Sequence, residues 1–232
     1  MPEQYRIDLT PSESVTALVY PAATRNRAGI CLTLAHGAGA GQSHAFMVRF
    51  ASGLAARGID AVTFNFLYTE QRRRLPDRSD RLELCWRKVI EACRDGAICR
   101  KLKCETLAIG GKSMGGRIAT QVAAGGADGV SALVLLGYPL HPPGQPDKLR
   151  AKHLPSIRAP MLFVQGSRDA FGTPDELAPI IGKLKPRPAV FVVEGGDHSF
   201  KVAKKSGTPQ EQVYDLVLDE IARWLVTRRA AP

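Results

Sequence analysis

Residues 106–118, TLAIGGKSMGGRI, decide the fold. Leu107, Ala108 and Ile109 form an apolar run without alternation, which suits a strand buried on both faces. Gly111-Lys112-Ser113-Met114-Gly115 follows as a G-x-S-x-G, and Ile118, Ala119, Val122 and Ala123 then recur at helical spacing. Strand, tight turn and helix in that order are the context in which this motif presents a nucleophile. The two glycines stand where a Cβ would meet the neighbouring strand or helix, and Ser113 is predicted at the strained tip of the turn. A helix N-terminus beneath it suits a hydroxyl that becomes an oxyanion-bearing ester. Gly110-Gly111-Lys112-Ser113 also imitates the end of a phosphate-binding loop. That loop needs an earlier glycine where Thr106 stands, and more turn than the apolar run leaves.

On the amino-terminal side, residues 30–35 (ICLTLA) read as a second buried strand, ending in His36-Gly37-Ala38-Gly39-Ala40-Gly41. Residues 14–20 (SVTALVY) alternate and are expected as a strand at the sheet edge. Phe46, Met47, Phe50 and Leu54 trace a helix stopped by Gly58, and residues 61–66 (AVTFNF) give the next strand. A polar loop with Arg72, Arg73 and Arg74 leads to a helix carrying Leu82, Trp86, Val89, Ile90 and Cys93, with Asp80 and Glu83 as its capping box. On the carboxyl side, residues 130–136, 161–165 and 189–193 are strands, and a short helix is expected over 148–153. Thr173-Pro174-Asp175-Glu176 and Thr208-Pro209-Gln210-Glu211 each start a helix. Alternating strands and helices argue for an α/β fold, a mostly parallel sheet with helices on both faces. No linker, repeat or composition shift divides the chain, so residues 1–232 are expected as a single domain.

The composition narrows the function classes. Hydrophobic residues make up 44% and charged residues 23% of the 232, an ordinary globular balance. No apolar run has membrane-helix length and the N-terminus carries no signal-peptide pattern, so a cytoplasmic protein without a membrane partner is expected. Five cysteines, at 31, 85, 93, 99 and 104, include no C-x-x-C, and suggest neither a disulfide framework nor zinc. Cys85 and Cys93 fall on the apolar side of their helix. The net charge of +10 fits a solvated basic surface or an anionic substrate. No nucleic-acid motif accompanies it, so nucleic acid is not expected as a partner.

In open α/β sheets, ligands bind beyond the carboxyl ends of the strands. Four such ends carry chemistry: the His36-Gly37-Ala38 turn, Ser113, Asp169 and His198. Ser113 is the candidate nucleophile, His198 the base that takes its proton, and Asp169 the acid that orients the imidazole. The backbone N–H groups of Ala38 and Met114 are the candidate oxyanion hole. Asp197 is a rival acid, but a residue adjacent to His198 is badly placed to orient that ring from behind. His36, Tyr138 and His141 lie at or after strand ends and are candidate substrate contacts, as is Arg73 within the Arg72–Arg74 run, with Lys112 or Arg117 as helpers. The histidine spacings fit no metal pattern, and neither metal nor cofactor is expected.

With these residues in view, the chain resembles the α/β-hydrolase superfamily over nearly its whole length, including the order Ser, Asp, His. More narrowly it is similar to small predicted hydrolases related to dienelactone hydrolases and to testis-expressed protein 30. The matching stretches are HGAGAG (36–41), FNF (64–66), RRRLPDR (72–78), GGKSMGGR (110–117), GYPLHPPGQPDKLR (137–150), HLPSIRAPMLFVQGSRDAFG (153–172) and GGDHSF (195–200). The resemblance implies the fold and a Ser-Asp-His triad, and no substrate. Dienelactone hydrolases proper use a cysteine nucleophile, whereas Ser113 stands here. The expected activity is hydrolysis of small carboxylic esters or related acyl compounds through an acyl-enzyme. The alternative is an interaction module on the same fold with vestigial chemistry. About twenty residues separate Leu140 from Pro160, too few for a folded lid, so no cap domain and an open site are expected.

Overall fold

The computed structural model describes residues 2–102, 105–126, 129–204 and 207–229. The chain runs β1 (Glu3–Thr10), β2 (Glu13–Tyr20), β3 (Ile30–Ala35), α1 (Ala45–Ala56), β4 (Asp60–Phe64), α2 (Leu67–Glu70), α3 (Ser79–Arg94), α4 (Ala97–Leu102), β5 (Thr106–Lys112), α5 (Met114–Ala124), β6 (Val130–Leu136), β7 (Met161–Gly166), α6 (Pro174–Ile181), β8 (Ala189–Val193) and α7 (Gln210–Arg229). The strands form one eight-stranded sheet in the order β1-β2-β4-β3-β5-β6-β7-β8. β1 and β2 pair antiparallel, as do β2 and β4, and the other neighbours are parallel. This is the α/β-hydrolase fold with no cap domain. Among the described residues no helix is long and apolar enough to cross a membrane.

The buried strands are apolar throughout because both faces are covered. In β3, Leu32 and Leu34 face the core under α1 and α7, while Cys31 and Ala35 face the core under α3, α5 and α6. Phe50 of α1 and Trp86 of α3 are fully buried, each contributing about 2–3 kcal/mol by area. Cys85 and Cys93 pack in the same core as Trp86. Cys104 and the side chain of Cys99 lie outside the described residues.

Four local expectations are corrected. β2 is not the edge, since β1 pairs outside it. β1 was hidden because Glu3, Gln4, Arg6 and Asp8 face solvent and only Ile7 and Leu9 are buried. The Asp80–Glu83 capping box does not form: Arg78 is the N-cap of α3, and the Ser79 hydroxyl bonds to Glu83 instead. The helix expected over 148–153 is replaced by a short 3₁₀ turn at Leu154–Ser156. The polar loop after β4 begins with the single-turn helix α2. The capping box at Thr173 and Glu176 does form, with Pro174 in the first turn.

The sheet places the site through one close approach. β3 and β5 are parallel neighbours, with Ala35 opposite Gly111. A Cβ on Gly111 would lie 2.3 Å from the Ala35 carbonyl oxygen, and one on Gly115 would lie 2.4 Å from the same atom. Gly111 also has φ +151°, and Ser113 is held at φ 52°, ψ −118°. The strained turn therefore sits against the end of β3. Trp86 braces it from behind, its indole N–H donating to the Gly115 carbonyl at 3.3 Å. Gly115→Ala is expected to destabilise by about 3 kcal/mol, because the obstructing atoms are backbone. Thermal unfolding checks it: a drop in Tm of roughly 10 °C is expected, and an unchanged Tm would show that the two strand ends can separate.

Candidate active site

Ser113, Asp169 and His198 come from the ends of β5, β7 and β8, which lie side by side in the sheet except for β6 between the first two. The His198 Nε2 lies 2.8 Å from the Ser113 Oγ. On its other side, Nδ1 lies 2.9 and 2.8 Å from the two carboxylate oxygens of Asp169. A carboxylate only accepts, so Nδ1 carries the proton and Nε2 is left as the acceptor for the serine hydroxyl. The Phe171 ring stacks on the imidazole at 4.2 Å between centroids and limits its rotation.

Asp169 is buried, and its charge is supported by hydrogen bonds. The Phe171 amide donates to Oδ1 at 2.8 Å and the Gln165 side-chain amide donates to Oδ2 at 2.8 Å. Gln165 is itself fully buried at the end of β7. It also donates to the Gly172 carbonyl at 2.6 Å and accepts from the Tyr138 amide at 2.9 Å. Asp197 has a different task. Its Oδ1 accepts from the amides of Ser199 and Lys201 at 2.7 and 2.9 Å, shaping the turn that carries His198.

Ser113 opens into a cleft of about 520 Å³ that Ala38, Met114 and His198 also line. Met114 is the first residue of α5, so its amide has no carbonyl one turn behind it in the helix. Among the described residues no acceptor takes the Ala38 amide. The turn holding Ala38 is anchored from outside the cleft: the Gln42 amide donates to the Asn65 side chain at 2.8 Å, and the His36 Nδ1–H donates to the Gly37 carbonyl at 2.8 Å.

None of the four candidate substrate contacts lines the cleft. His36 is fully buried, with Nε2 accepting from the Phe66 amide at 3.2 Å, and burial pushes its pKa down. Its place is behind the Gly37–Ala38 turn, which it ties to α2. Tyr138 is buried too, its hydroxyl donating to the Arg150 carbonyl at 2.6 Å. His141 is buried between the Pro142 carbonyl and Glu176. Arg73 turns away to Asp77 and Gln71. These expectations fail for one reason: strand-end position fixes where a backbone lies, not where a long side chain turns.

The two suggested helpers, Lys112 and Arg117, do line the cleft, and with them stands Arg150, which strand-end reasoning did not place. Lys112 precedes Ser113 on β5 and is only 8% exposed, its Nζ lying 6.0 Å from the centre of the Phe46 ring. Burial is the largest influence on Lys112 and pushes its pKa down from 10.5 to about 8, against a smaller upward pull from Asp169 and Asp197. Arg150 left no sequence signal beyond its charge, since it stands in a proline-rich stretch without periodicity.

An alpha/beta hydrolase domain model matches residues 28–226. Among solved structures, the chain is similar to an α/β serine hydrolase without a lid from Xanthomonas campestris, at 18% identity and TM-score 0.73, covering 96% of this chain and 94% of that one. A dienelactone hydrolase from Anabaena variabilis matches at 19% identity and TM-score 0.71, covering 97% and 98%. Est1E from Butyrivibrio proteoclasticus matches at 14% identity and TM-score 0.68, covering 94% and 99%. At these identities the likeness is one of fold.

The Lys112 ammonium sets a pH signature. Its folded-state pKa of about 8 lies below its ordinary 10.5, so the unfolded chain binds the extra proton between those values. Stability therefore climbs with pH across that window. Lys112→Met is expected to flatten the climb and to add roughly 1–3 kcal/mol near neutral pH. Denaturant unfolding of both proteins from pH 7 to pH 10 checks it, and parallel curves would show that Lys112 is hydrated.

Proposed function

The chain belongs to the alpha/beta hydrolase family, and on that premise we propose that it is a serine hydrolase of small carboxylic esters, working through an acyl-enzyme. The observation that supports this most is the unbroken chain from Asp169 through His198 to the Ser113 hydroxyl, with Nε2 2.8 Å from Oγ. Ser113 Oγ attacks the ester carbonyl while His198 Nε2 takes its proton, and the Asp169 carboxylate stabilises the imidazolium that forms. The carbonyl oxygen becomes an oxyanion facing the amides of Ala38 and Met114, each worth about 3 kcal/mol in such a role. His198 then returns the proton to the departing alcohol oxygen, leaving the acyl group on Ser113. Water, deprotonated by the same imidazole, attacks the acyl carbon, and the acid departs as Ser113 recovers its hydrogen.

The segment between β6 and β7 adds only a 3₁₀ turn and leaves the cleft unlidded, which favours short acyl groups. A vestigial interaction module has less support. Such a module has no need to keep a buried carboxylate, an imidazole and a hydroxyl in register across three strand ends.

Purified protein is expected to be labelled by a fluorophosphonate at Ser113 and to hydrolyse p-nitrophenyl acetate and butyrate faster than the palmitate. Ser113→Ala should abolish both while leaving Tm nearly unchanged, and Asp169→Asn should lower kcat by roughly 10³–10⁴-fold. Folded protein that takes no label and turns over no ester would reinstate the module reading. A separate check concerns Gln165→Leu, which leaves the Tyr138 amide without its acceptor, the Gly172 carbonyl without its side-chain donor, and the Asp169 Oδ2 with His198 Nδ1–H alone. It should lower kcat by about tenfold or more with little change in KM, while Gln165→Glu should shift the pH profile of kcat by adding a second carboxyl beside Asp169. Unaltered kinetics in both variants would make Gln165 a packing residue only.

A further inference from the structure

The cleft around Ser113 is lined by three cationic side chains, Lys112, Arg117 and Arg150, and, among the described residues, by no aspartate or glutamate. Among the described residues none of the three makes an ion pair or a side-chain hydrogen bond. Elsewhere the chain pairs its partly buried arginines: Arg27 with Asp60 at 3.3 Å, Arg57 with Asp219 at 2.6 Å, and Arg81 with Glu13 at 2.6 Å. An unpaired cation on the open surface keeps its water at no cost. These three do not have that surface. Lys112 is 8% exposed and Arg117 and Arg150 are half-buried. Withdrawing a charge from water is unfavourable unless a partner compensates it. At Lys112 and Arg117 the pull of more distant acids, Asp169 and Asp197 on the first and Glu83 on the second, is smaller than the burial that opposes it.

The two arginines are also held in place. Arg117 lies on the first turn of α5, its amide donating to the Ser113 carbonyl at 3.0 Å, so it stands about one helical turn, roughly 5 Å, along the axis from the nucleophile. Arg150 is fixed on both sides of its backbone. Its amide donates to the Leu140 carbonyl at 2.7 Å, and its carbonyl accepts from the buried Tyr138 hydroxyl at 2.6 Å. Tyr138 in turn packs edge-on against Phe163 of β7. The long loop after β6 therefore returns Arg150 to the cleft through specific contacts.

Building on the serine-hydrolase reading, we propose that the substrate is an ester bearing its own anionic group, a carboxylate or a phosphate, which Arg117 and Arg150 bind in the cleft that Lys112 also lines. Guanidinium forks match either anion in a bidentate way. Such a contact fixes the ester relative to Ser113, and the anion passes through the reaction unchanged. Burial first, and then the charge of Arg150, lower the pKa of Arg117. An anion between the two arginines relieves both effects. The Arg72–Arg74 run takes no part, since none of its residues lines the cleft.

Two measurements test this. In the first, kcat/KM is compared for p-nitrophenyl hemiadipate and neutral p-nitrophenyl hexanoate, which share a chain length. The wild-type ratio should exceed about ten at low salt and fall as salt rises. Arg117→Met and Arg150→Met should each cut that ratio by roughly tenfold, since each removes one charged partner. In the second, Ser113→Ala protein is titrated calorimetrically with adipate and with inorganic phosphate, which separates a carboxylate site from a phosphate site. Binding of either that is weakened in Ser113→Ala/Arg150→Met protein supports the proposal. Ester turnover with a ratio near one, and no binding of either anion, overturns the anion site and leaves the hydrolase reading standing. Anion binding without any turnover or labelling overturns the hydrolase reading and leaves the anion site standing.

Discussion

The structure depends on the contact between the end of β3 and the turn after β5. Hydrogen-bonded parallel strands already bring Ala35 opposite Gly111. The turn then folds α5 back so closely that the Ala35 carbonyl fills the space a side chain would need at both Gly111 and Gly115. This proximity has two results. It brings the Ala38 turn and the Met114 amide to the same cleft, on either side of Ser113. It also stabilises Ser113 at a positive φ that a serine would otherwise leave at a gain of about 1–3 kcal/mol. The strain is confined to one residue, and the buried faces of β3, β5 and α5 hold it there.

The acid side of the site rests on a different device, a buried polar network in place of backbone strain. Gln165 links the Asp169 carboxylate, the loop carbonyl of Gly172 and the backbone of Tyr138. In a low-dielectric interior such a network is stable only when nearly every donor and acceptor is matched. Gln165 meets that condition because one amide supplies both the donors and the acceptor required. Tyr138 extends the network to Arg150 through its hydroxyl. One buried tyrosine thus relates the position of the triad acid to that of a cleft arginine, two groups with no direct contact between them.

The sheet was legible in the sequence wherever burial was two-sided. β3, β5 and β7 are apolar runs closed by the Ala38 turn, Ser113 and Asp169, while His198 follows β8, a strand only partly buried. β1 was illegible because its polar face is continuous with solvent, and its two buried residues are too few to make a pattern. The side-chain level was harder. Position at a strand end placed His36, Tyr138 and His141 near the site, and all three turned into the interior to hold it together. Gln165 and Arg150 were missed for opposite reasons. Gln165 looks like the polar end of a strand, although a glutamine closing a buried strand four residues before an acid is a usable signal. Arg150 depends on a loop path fixed by tertiary hydrogen bonds that no local pattern encodes.

Cations beside a serine nucleophile have a further consequence for the chemistry. An anionic ester forms a second negative charge when its carbonyl becomes an oxyanion. Two such charges about 6 Å apart repel by about 3 kcal/mol at an effective dielectric of 20, enough to cancel one oxyanion-hole donor. A cleft without positive charge would therefore leave that repulsion unopposed as the reaction proceeds. Lys112 lines the same cleft, with its Nζ 6.0 Å from the centre of the Phe46 ring. Burial is what pushes its pKa down, because an ammonium withdrawn from water loses solvation. On the proposed substrate, Arg117 and Arg150 would favour ground state and transition state alike, because the anion they would meet does not change. A cation whose attraction grows as the oxyanion forms would act on the reaction itself, whereas the two arginines of the proposed anion site would act on binding.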